Sequence, residues 1–552
     1  MPTQCRKFFP KRTSYFRMFG FQKFRMKSYL LPLFFCCLIA TTHAQQRNVI
    51  LIIADDLGTD YLGCYEDHQD TVAMPNIRKL LSRGVRFSNA MSNPVCSATR
   101  AGILTGRYSF RTGVGGVVGG QGGSSPLNTA ELSIPKMLNL YQPNGFAKAN
   151  IGKWHLQPAM PVSNLNNPAV MGYDYFAGNF IGQLNSFYNW TKVTNGVSGT
   201  STTYATTETT NDAINWIGAQ TKPYFLWLAY NAPHSPYHLP PAGLYSDTGL
   251  SGTTQDIMAN PKSYFKASLE ALDHEMGRLF DALQATNQWE NTDVIFIGDN
   301  GNSSNTAQIA DKNRAKGTIY QYGVHVPFII SGPSIVQPGR VSPALVNTAD
   351  LFATILELFG YADWSTQIPA NKPVDSKSIL PILKNESTTV RPWSFTEIFK
   401  LTPDSDDGKT MRNTIFKLLH FDDGHEEFYN LENDPEELKN LLNGTLTALE
   451  HDNYVYLCGE MSSLLSNSAF CTASVATGEP IENQNGLTAY PNPFHDRILL
   501  LPALGNTRVK LVNTLGQTVY AGQDIENQDF STLSRGVYLL SIDGKSQILL
   551  KQ

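Results

Sequence analysis

The run Asn48-Val-Ile-Leu-Ile-Ile-Ala54 is apolar after its first residue and passes directly into Asp55-Asp56. Six β-branched and aliphatic residues without alternation are too short for a buried helix and fit a strand covered on both faces, as in a parallel sheet. A second run, Asp293-Val-Ile-Phe-Ile-Gly298, passes in the same way into Asp299-Asn300-Gly301. Open α/β sheets bind ligands at the carboxyl ends of their strands. Two strands that deliver carboxylate and amide oxygens to one end therefore predict a site for a hard cation.

Two further strands end with different chemistry. Phe146 to Ile151 runs into Gly152-Lys153-Trp154-His155, and Tyr224 to Tyr230 runs into Asn231-Ala232-Pro233-His234. Placed in the same sheet, one lysine and two histidines would face the carboxylates across a single mouth, which describes an active site rather than a core.

Around these strands, residues 45–365 alternate apolar runs with amphipathic helical stretches, the pattern of an α/β domain with a large, mostly parallel sheet flanked by helices. Within it, residues 160–210 are rich in Asn, Gly and Thr and nearly aperiodic, and read as surface insertions that shape a cleft. Residues 366–475 form a smaller α+β subdomain with an antiparallel sheet, in which Arg412 to His420 is expected as a strand and Asp434-Pro435-Glu436-Glu437 as the start of a helix. After a linker at 476–487, residues 488–552 carry short alternating strands such as Arg497 to Leu501 and Gly536 to Ile542, and read as a small β-sandwich.

The amino terminus reads as an export signal over residues 1–44. Arg25 and Lys27 precede an apolar run from Tyr29 to Ala40, and Thr41-Thr42-His43-Ala44 offers small residues for cleavage before Gln45. That run is much shorter than the ~20 residues of a membrane-spanning helix. The basic stretch before Met26 is long for a signal, which makes Met18 and Met26 alternative starts. With 41% hydrophobic and 16% charged residues the chain is globular, and a net charge of −4 gives no basic field for nucleic acid. Export into an oxidising compartment leaves only Cys64, Cys96, Cys458 and Cys471 in the mature chain, too few for a disulfide framework. Cys458 and Cys471 are spaced to bridge locally, whereas Cys96 has no evident reason to pair.

The segment from Asn93 to Arg107, with Cys96-Ser97-Ala98-Thr99-Arg100 and Thr105-Gly106-Arg107, resembles the signature of the formylglycine-dependent sulfatases of the alkaline phosphatase superfamily. Ala98 stands where that family more often has proline, and Thr99 where it more often has serine. Asn48 to Asp56, Gly152 to Leu156, Asn231 to His234, Asp299 to Gly301, Lys316-Gly317, and Phe428 to Leu431 with Asp434-Pro435 match in the family's order. Taken alone, Cys96 reads as an inert buried thiol, Asp55-Asp56 as a helix cap and the histidines as structural; six elements in order outweigh those readings.

The resemblance implies that Cys96 is oxidised to formylglycine (3-oxoalanine) by a formylglycine-generating enzyme. The hydrated aldehyde then offers two hydroxyls on one carbon, one to attack sulfur and one to expel the product. It implies calcium as cofactor, held by Asp55, Asp56, Asp299 and Asn300 together with residue 96; an all-oxygen set suits calcium better than zinc. By the same resemblance Arg100 orients the hydrated residue, Lys153 clamps sulfate charge, His155 deprotonates the second hydroxyl, and His234 and Lys316 serve the leaving oxygen, one of them as general acid. After Lys316 the family usually carries Glu-Gly-Gly-x-Arg-Val-Pro, where this chain has Gln321-Tyr322-Gly323-Val324-His325-Val326-Pro327. An acid and an arginine expected beside the substrate mouth are thus replaced.

The tail resembles the C-terminal sorting domain of the type IX secretion system, in Ala489 to Phe494, Asn513 to Gln517 and Leu533 to Tyr538. This implies a secreted or cell-surface enzyme and, by association, degradation of sulfated algal polysaccharide or oligosaccharide such as ulvan or carrageenan. The rival readings are a phosphonate or phosphodiester hydrolase of the same superfamily and a catalytically dead glycan-binding protein. The Asp299-Asn300 pair argues against the first and the intact charged set against the second.

Overall fold

A computed structural model describes residues 47–466 apart from 66–67 and 121–122, and most of 488–551. The export signal expected over 1–44 and the linker expected over 476–487 lie outside the described residues. Among the described residues no helix is long and apolar enough to cross a membrane.

The expected large sheet has ten strands. They are β1 (Asn48–Ala54), β2 (Gly84–Met91), β3 (Ala147–Lys153), β4 (Tyr175–Asn179), β5 (Trp190–Thr194), β6 (Val197–Ser201), β7 (Tyr224–Ala229), β8 (Thr292–Gly298), β9 (Phe328–Ser331) and β10 (Arg340–Asn347). Their order is β10-β2-β9-β8-β1-β7-β3-β4-β5-β6. The centre is parallel from β8 through β4, while β9 and the β5–β6 hairpin run antiparallel. Period-two alternation splits β1 between two cores. Val49, Leu51 and Ile53 pack on one face of the sheet with the helix Leu351–Leu358, and Ile50, Ile52 and Ala54 pack on the other with the helix Pro261–Ala285. Burial of both faces explains why this strand carries no polar residue after Asn48.

Register brings the strand ends level. Ala54 lies beside Gly298, Ile53 beside Ala229, Gly152 beside both Ala229 and Gly178, and Lys153 beside Asn179. The segments that follow β1, β3, β7 and β8 therefore open at one edge. Gly152 has φ +99, and a Cβ there would meet the Ala229 carbonyl oxygen at 1.9 Å, so only glycine fits where β3 turns toward His155.

Three expectations need correction. Residues 160–210 are not all surface insertion: β4 to β6 extend the sheet to its edge, and their Thr- and Gly-rich composition suits the lightly covered hairpin at 190–201. Arg412 to His420 is two strands rather than one. In the order β11 (Ser394–Ile398), β12 (Gly408–Arg412), β13 (Phe416–Phe421), β14 (Glu426–Asn430), the four form an antiparallel sheet, and β12 turns into β13 at Asn413, whose side chain accepts from the backbone N–H of Ile415 and Phe416. Asp434 opens no helix. Its carboxylate accepts from the N–H of Leu438 and Lys439, Glu437 turns to φ +58 to stay buried, and the helix Ala448–Leu465 begins later behind a Thr447–Glu450 capping box. Cys458, in that helix, is in a disulfide; Cys471, its expected partner, lies outside the described residues. The tail holds a two-stranded and a four-stranded antiparallel sheet around Phe494, Ile498, Leu511, Leu540 and Leu549, in keeping with a small sandwich.

Candidate active site

The end of β1 meets the end of β8, so the four oxygen-bearing residues converge without help from side-chain flexibility. Asp299 donates its N–H to the Ala54 carbonyl at 3.2 Å, and Asp56 donates its N–H to Asp299 Oδ1 at 3.0 Å. Asp56 adopts φ +62, a conformation an aspartate holds only where its surroundings fix it. Cys96 opens the helix Cys96–Thr105, all ten residues of which are buried, and this helix ends at Gly106 with φ +70. Ligand atoms of Asp55, Cys96 and Asp299 lie within 4.8 Å of one another, as do those of Asp55, Asp56 and His234.

Three cations close on these carboxylates. Lys153 Nζ lies 2.6 Å from Asp55 Oδ2, and Arg100 donates to Asp299 Oδ2 at 2.8 and 3.2 Å and to the Lys153 carbonyl at 2.9 Å. Lys316 Nζ lies 2.5 Å from Asp56 Oδ1 and 3.2 Å from His234 Nε2. Arg100 thus braces the carboxylates directly, beyond the orienting part expected of it. Burial alone would raise the Asp55 carboxyl, yet Lys153, His234, Arg100 and Lys316 together hold it well below the usual carboxylate range. Burial and the Asp55 charge push Asp299 up.

The residues fit a hard cation. Asp55 Oδ1 and Asn300 Oδ1 are buried and have no hydrogen-bond partner, an arrangement that costs stability unless something else satisfies them. Asn300 turns its amide nitrogen to Asp56 Oδ1 at 2.8 Å and to the Gly301 carbonyl at 2.9 Å, which fixes its oxygen as the free end. Three carboxylates already face three cations here, so a divalent ion would leave the cluster positive and complementary to an anionic substrate.

His155, at φ +56 just past β3, holds Nδ1 3.1 Å from Cys96 Sγ, and its Nε2 lies 3.2 Å from the Val118 carbonyl oxygen. Burial first, then Lys153 and Arg100, pull its pKa well below the ordinary value and keep the ring neutral. Burial pushes the Cys96 thiol up, so an unmodified Cys96 is a protonated thiol and a weak nucleophile. Above the two lies a cavity of about 520 Å³, walled by Val117 to Gly120, Met160, Phe180 to Gln183, His234 and Lys316. Every expected site residue is therefore in one cluster, with Cys96, His155, His234 and Lys316 at the cavity and the rest beneath it.

Other participants carried no signal in the sequence. Ser97 Oγ accepts from the Val118 N–H at 3.1 Å and donates to the His155 carbonyl at 2.9 Å, tying the loop over the cavity to the helix. Asn179, from β4, donates to Asn231 Oδ1 at 2.7 Å. Gly182 packs on the His155 ring so closely that a Cβ would lie 2.6 Å from Cε1. Gln321 and His325, expected beside the substrate mouth, line a different cavity of about 460 Å³ between the large sheet and the C-terminal subdomain. There the Gln321 N–H donates to the Glu437 carboxylate, and His325 Nε2 lies 2.9 Å from the Ser88 carbonyl oxygen.

A cysteine at a buried helix start, a neutral histidine against it and an oxygen-lined pocket beneath suit a hydrolase of anionic esters. The chain belongs to the sulfatase family, whose pattern matches residues 47–361. The C-terminal part of N-sulphoglucosamine sulphohydrolase matches residues 313–452, and a secretion system C-terminal sorting domain matches 488–552, which makes the protein an exported sulfatase. It is 27% identical to N-acetylgalactosamine-6-sulfatase of Canis lupus familiaris over 393 residues, 63% of this chain and 68% of that protein. It is 30% identical to the uncharacterized sulfatase YdeN of Escherichia coli (strain K12) over 56% of this chain and 57% of the relative. Among solved structures, Ps i-CgsB in complex with k-i-k-neocarrahexaose superposes with TM-score 0.63 at 25% identity, covering 76% of this chain and 93% of that one. The phosphonate monoester hydrolase of Agrobacterium radiobacter shares the fold at TM-score 0.55 and 20% identity, covering 76% and 95%.

Proposed function

We propose that this sulfatase removes sulfate esters from algal polysaccharide or oligosaccharide of the carrageenan or ulvan type, with calcium on Asp55, Asp56, Asp299 and Asn300 and a formylglycine made from Cys96. The observation that carries the mechanism is the position of Cys96, with its sulfur 3.1 Å from His155 Nδ1 and in one cluster with Asp55 and Asp299. The glycan class is supported by Ps i-CgsB, solved with a neocarrahexaose. Export through a signal at 1–44 and the tail at 488–552 suits a polymer too large to enter the cell.

Sγ of Cys96 stands where an oxygen of the converted residue would lie. When bound, calcium would lower the pKa of a hydroxyl at residue 96 and offset charge on sulfate oxygens. The chain's own residues supply the rest. Neutral His155 is placed to take a proton from residue 96, and its contact with the Val118 carbonyl fixes the ring for that task. Lys153 and Arg100 hold the carboxylates beneath residue 96 and add positive charge where sulfate charge must be met. Lys316, held charged by Asp56 despite its burial, faces the cavity together with His234, and this pair is placed to protonate the departing sugar oxygen.

The test is the mass of the proteolytic peptide containing Cys96, from protein made with a formylglycine-generating enzyme, followed by sulfate release from purified algal and animal polysaccharides and their oligosaccharides. A peptide lighter by the thiol-to-aldehyde change and activity on the algal substrates are expected. An unmodified thiol beside a fully matured control sulfatase refutes the nucleophile, and matured protein inactive on every glycan refutes the substrate class.

A further inference from the structure

The second cavity, about 460 Å³ in volume, lies between the loop that follows β1 and the C-terminal subdomain. Arg412 of β12 lines it, with 2% of its surface exposed. Its Nε donates to the Asn413 carbonyl at 2.9 Å, and its Nη2 to the Thr414 carbonyl at 3.2 Å and to Asn89 Oδ1 at 3.3 Å. All three acceptors are neutral. Among the described residues its Nη1 makes no hydrogen bond and no carboxylate pairs with the guanidinium.

Directly opposite on β13 stands Lys417, fully buried. Like charges facing each other on a ladder destabilise the pair. Lys417 shares Glu437 Oε1 at 2.9 Å, and Glu437 also accepts from the Gln321 N–H. Of these two facing cations only Lys417 has a carboxylate partner; Asp60, Glu432 and Glu436 also line the cavity, and among the described residues none of them makes an ion pair with Arg412. Burial accordingly lowers Arg412 to about 10 and Lys417 to about 8, with Glu437 only partly offsetting it. Gln321 adds a buried Oε1 with no partner on the same wall. Hydroxyl donors suit that acceptor, and an oxyanion suits the guanidinium.

We propose that this cavity is a second binding site, distinct from the Cys96 cavity, which receives an oxyanion on Arg412. Free inorganic sulfate and a sulfate or carboxylate group carried on a sugar share that chemistry. The site stands independently of the substrate class proposed for the catalytic cavity.

Crystals of the full chain soaked in sodium selenate should show an anomalous peak within hydrogen-bond distance of Arg412 Nη1 in addition to one beside Lys316. In Arg412→Gln crystals the first should vanish and the second persist, with affinity at the first site falling about tenfold or more. Should Arg412→Gln not fold, Lys417→Met provides the same reading, since removal of the facing charge weakens the same peak. Selenate confined to the Cys96 cavity in crystals of the unaltered protein overturns the proposal. A parallel soak with a sulfated disaccharide separates the sources. Sugar density continuous with the anion at Arg412 identifies a glycan site, and an isolated tetrahedral anion identifies an inorganic sulfate site.

Discussion

Replacing Gly182 by alanine places a single methyl group against His155, the histidine proposed to take a proton from residue 96. The added Cβ would lie 2.6 Å from His155 Cε1 and 2.7 Å from Nε2, so contact at normal carbon–carbon separation requires a displacement of roughly 1 Å. The ring has little room to yield, because Nδ1 faces Cys96 and Nε2 faces the Val118 carbonyl. A misplacement of ~1 Å at reacting groups costs on the order of 10²-fold in rate, about 2.7 kcal/mol. Gly182 is half-buried in a loop and its backbone is not in the left-handed region, so alanine is conformationally acceptable there and global stability should change little. Steady-state sulfate release by matured Gly182→Ala protein should therefore show kcat lower by about two orders of magnitude, with a Tm close to that of the unaltered protein and normal conversion of Cys96 by peptide mass. A kcat within about twofold of the parent would refute the view that Gly182 fixes His155.

Three other outcomes are expected. Asn300→Ala removes the orphaned oxygen from the cation set, and calcium affinity measured calorimetrically should fall at least tenfold while chelation of the parent abolishes turnover. Glu397, buried and accepting from the Phe110 N–H, has its pKa pushed up to about 7 mainly by burial; because the folded value lies above the unfolded one, its contribution is complete below about pH 4.5 and lost as pH rises toward 7. The parent should lose up to about 3 kcal/mol across that window relative to Glu397→Gln, whose stability curve should lack this slope. The tail has its own apolar core, so a chain ending at residue 487 should keep the main thermal transition and sulfatase activity but stay behind in the cell, as fractionation of the secreting host would show.

The sequence by itself determined the strands and the chemistry at their ends. An unbroken apolar run is a local signature of burial on both faces, and parallel sheets bind ligands at carboxyl ends, so Asp55, Asp56, Asp299, Asn300, Lys153, His155 and His234 could be named before any coordinates. The Cys96 segment and the ordered elements after it were legible for the same reason, as contiguous patterns. Tertiary structure alone decided what depends on residues distant in sequence. The stretch at 160–210 hides β4 to β6 because each strand is only five residues long and the outermost, β6, is exposed, which leaves no sustained apolar pattern. Asp434 satisfies backbone donors in a turn rather than opening a helix. Gln321 and His325 line a second cavity because their partners, Glu437 and the Ser88 carbonyl, come from segments distant in sequence. Gly182 on His155, Ser97 beneath Val118, and Arg412 opposite Lys417 are each products of packing or register. A pairing across 27 residues, 21 residues or a hairpin leaves no periodic trace in composition, since it exists only once the chain has closed on itself.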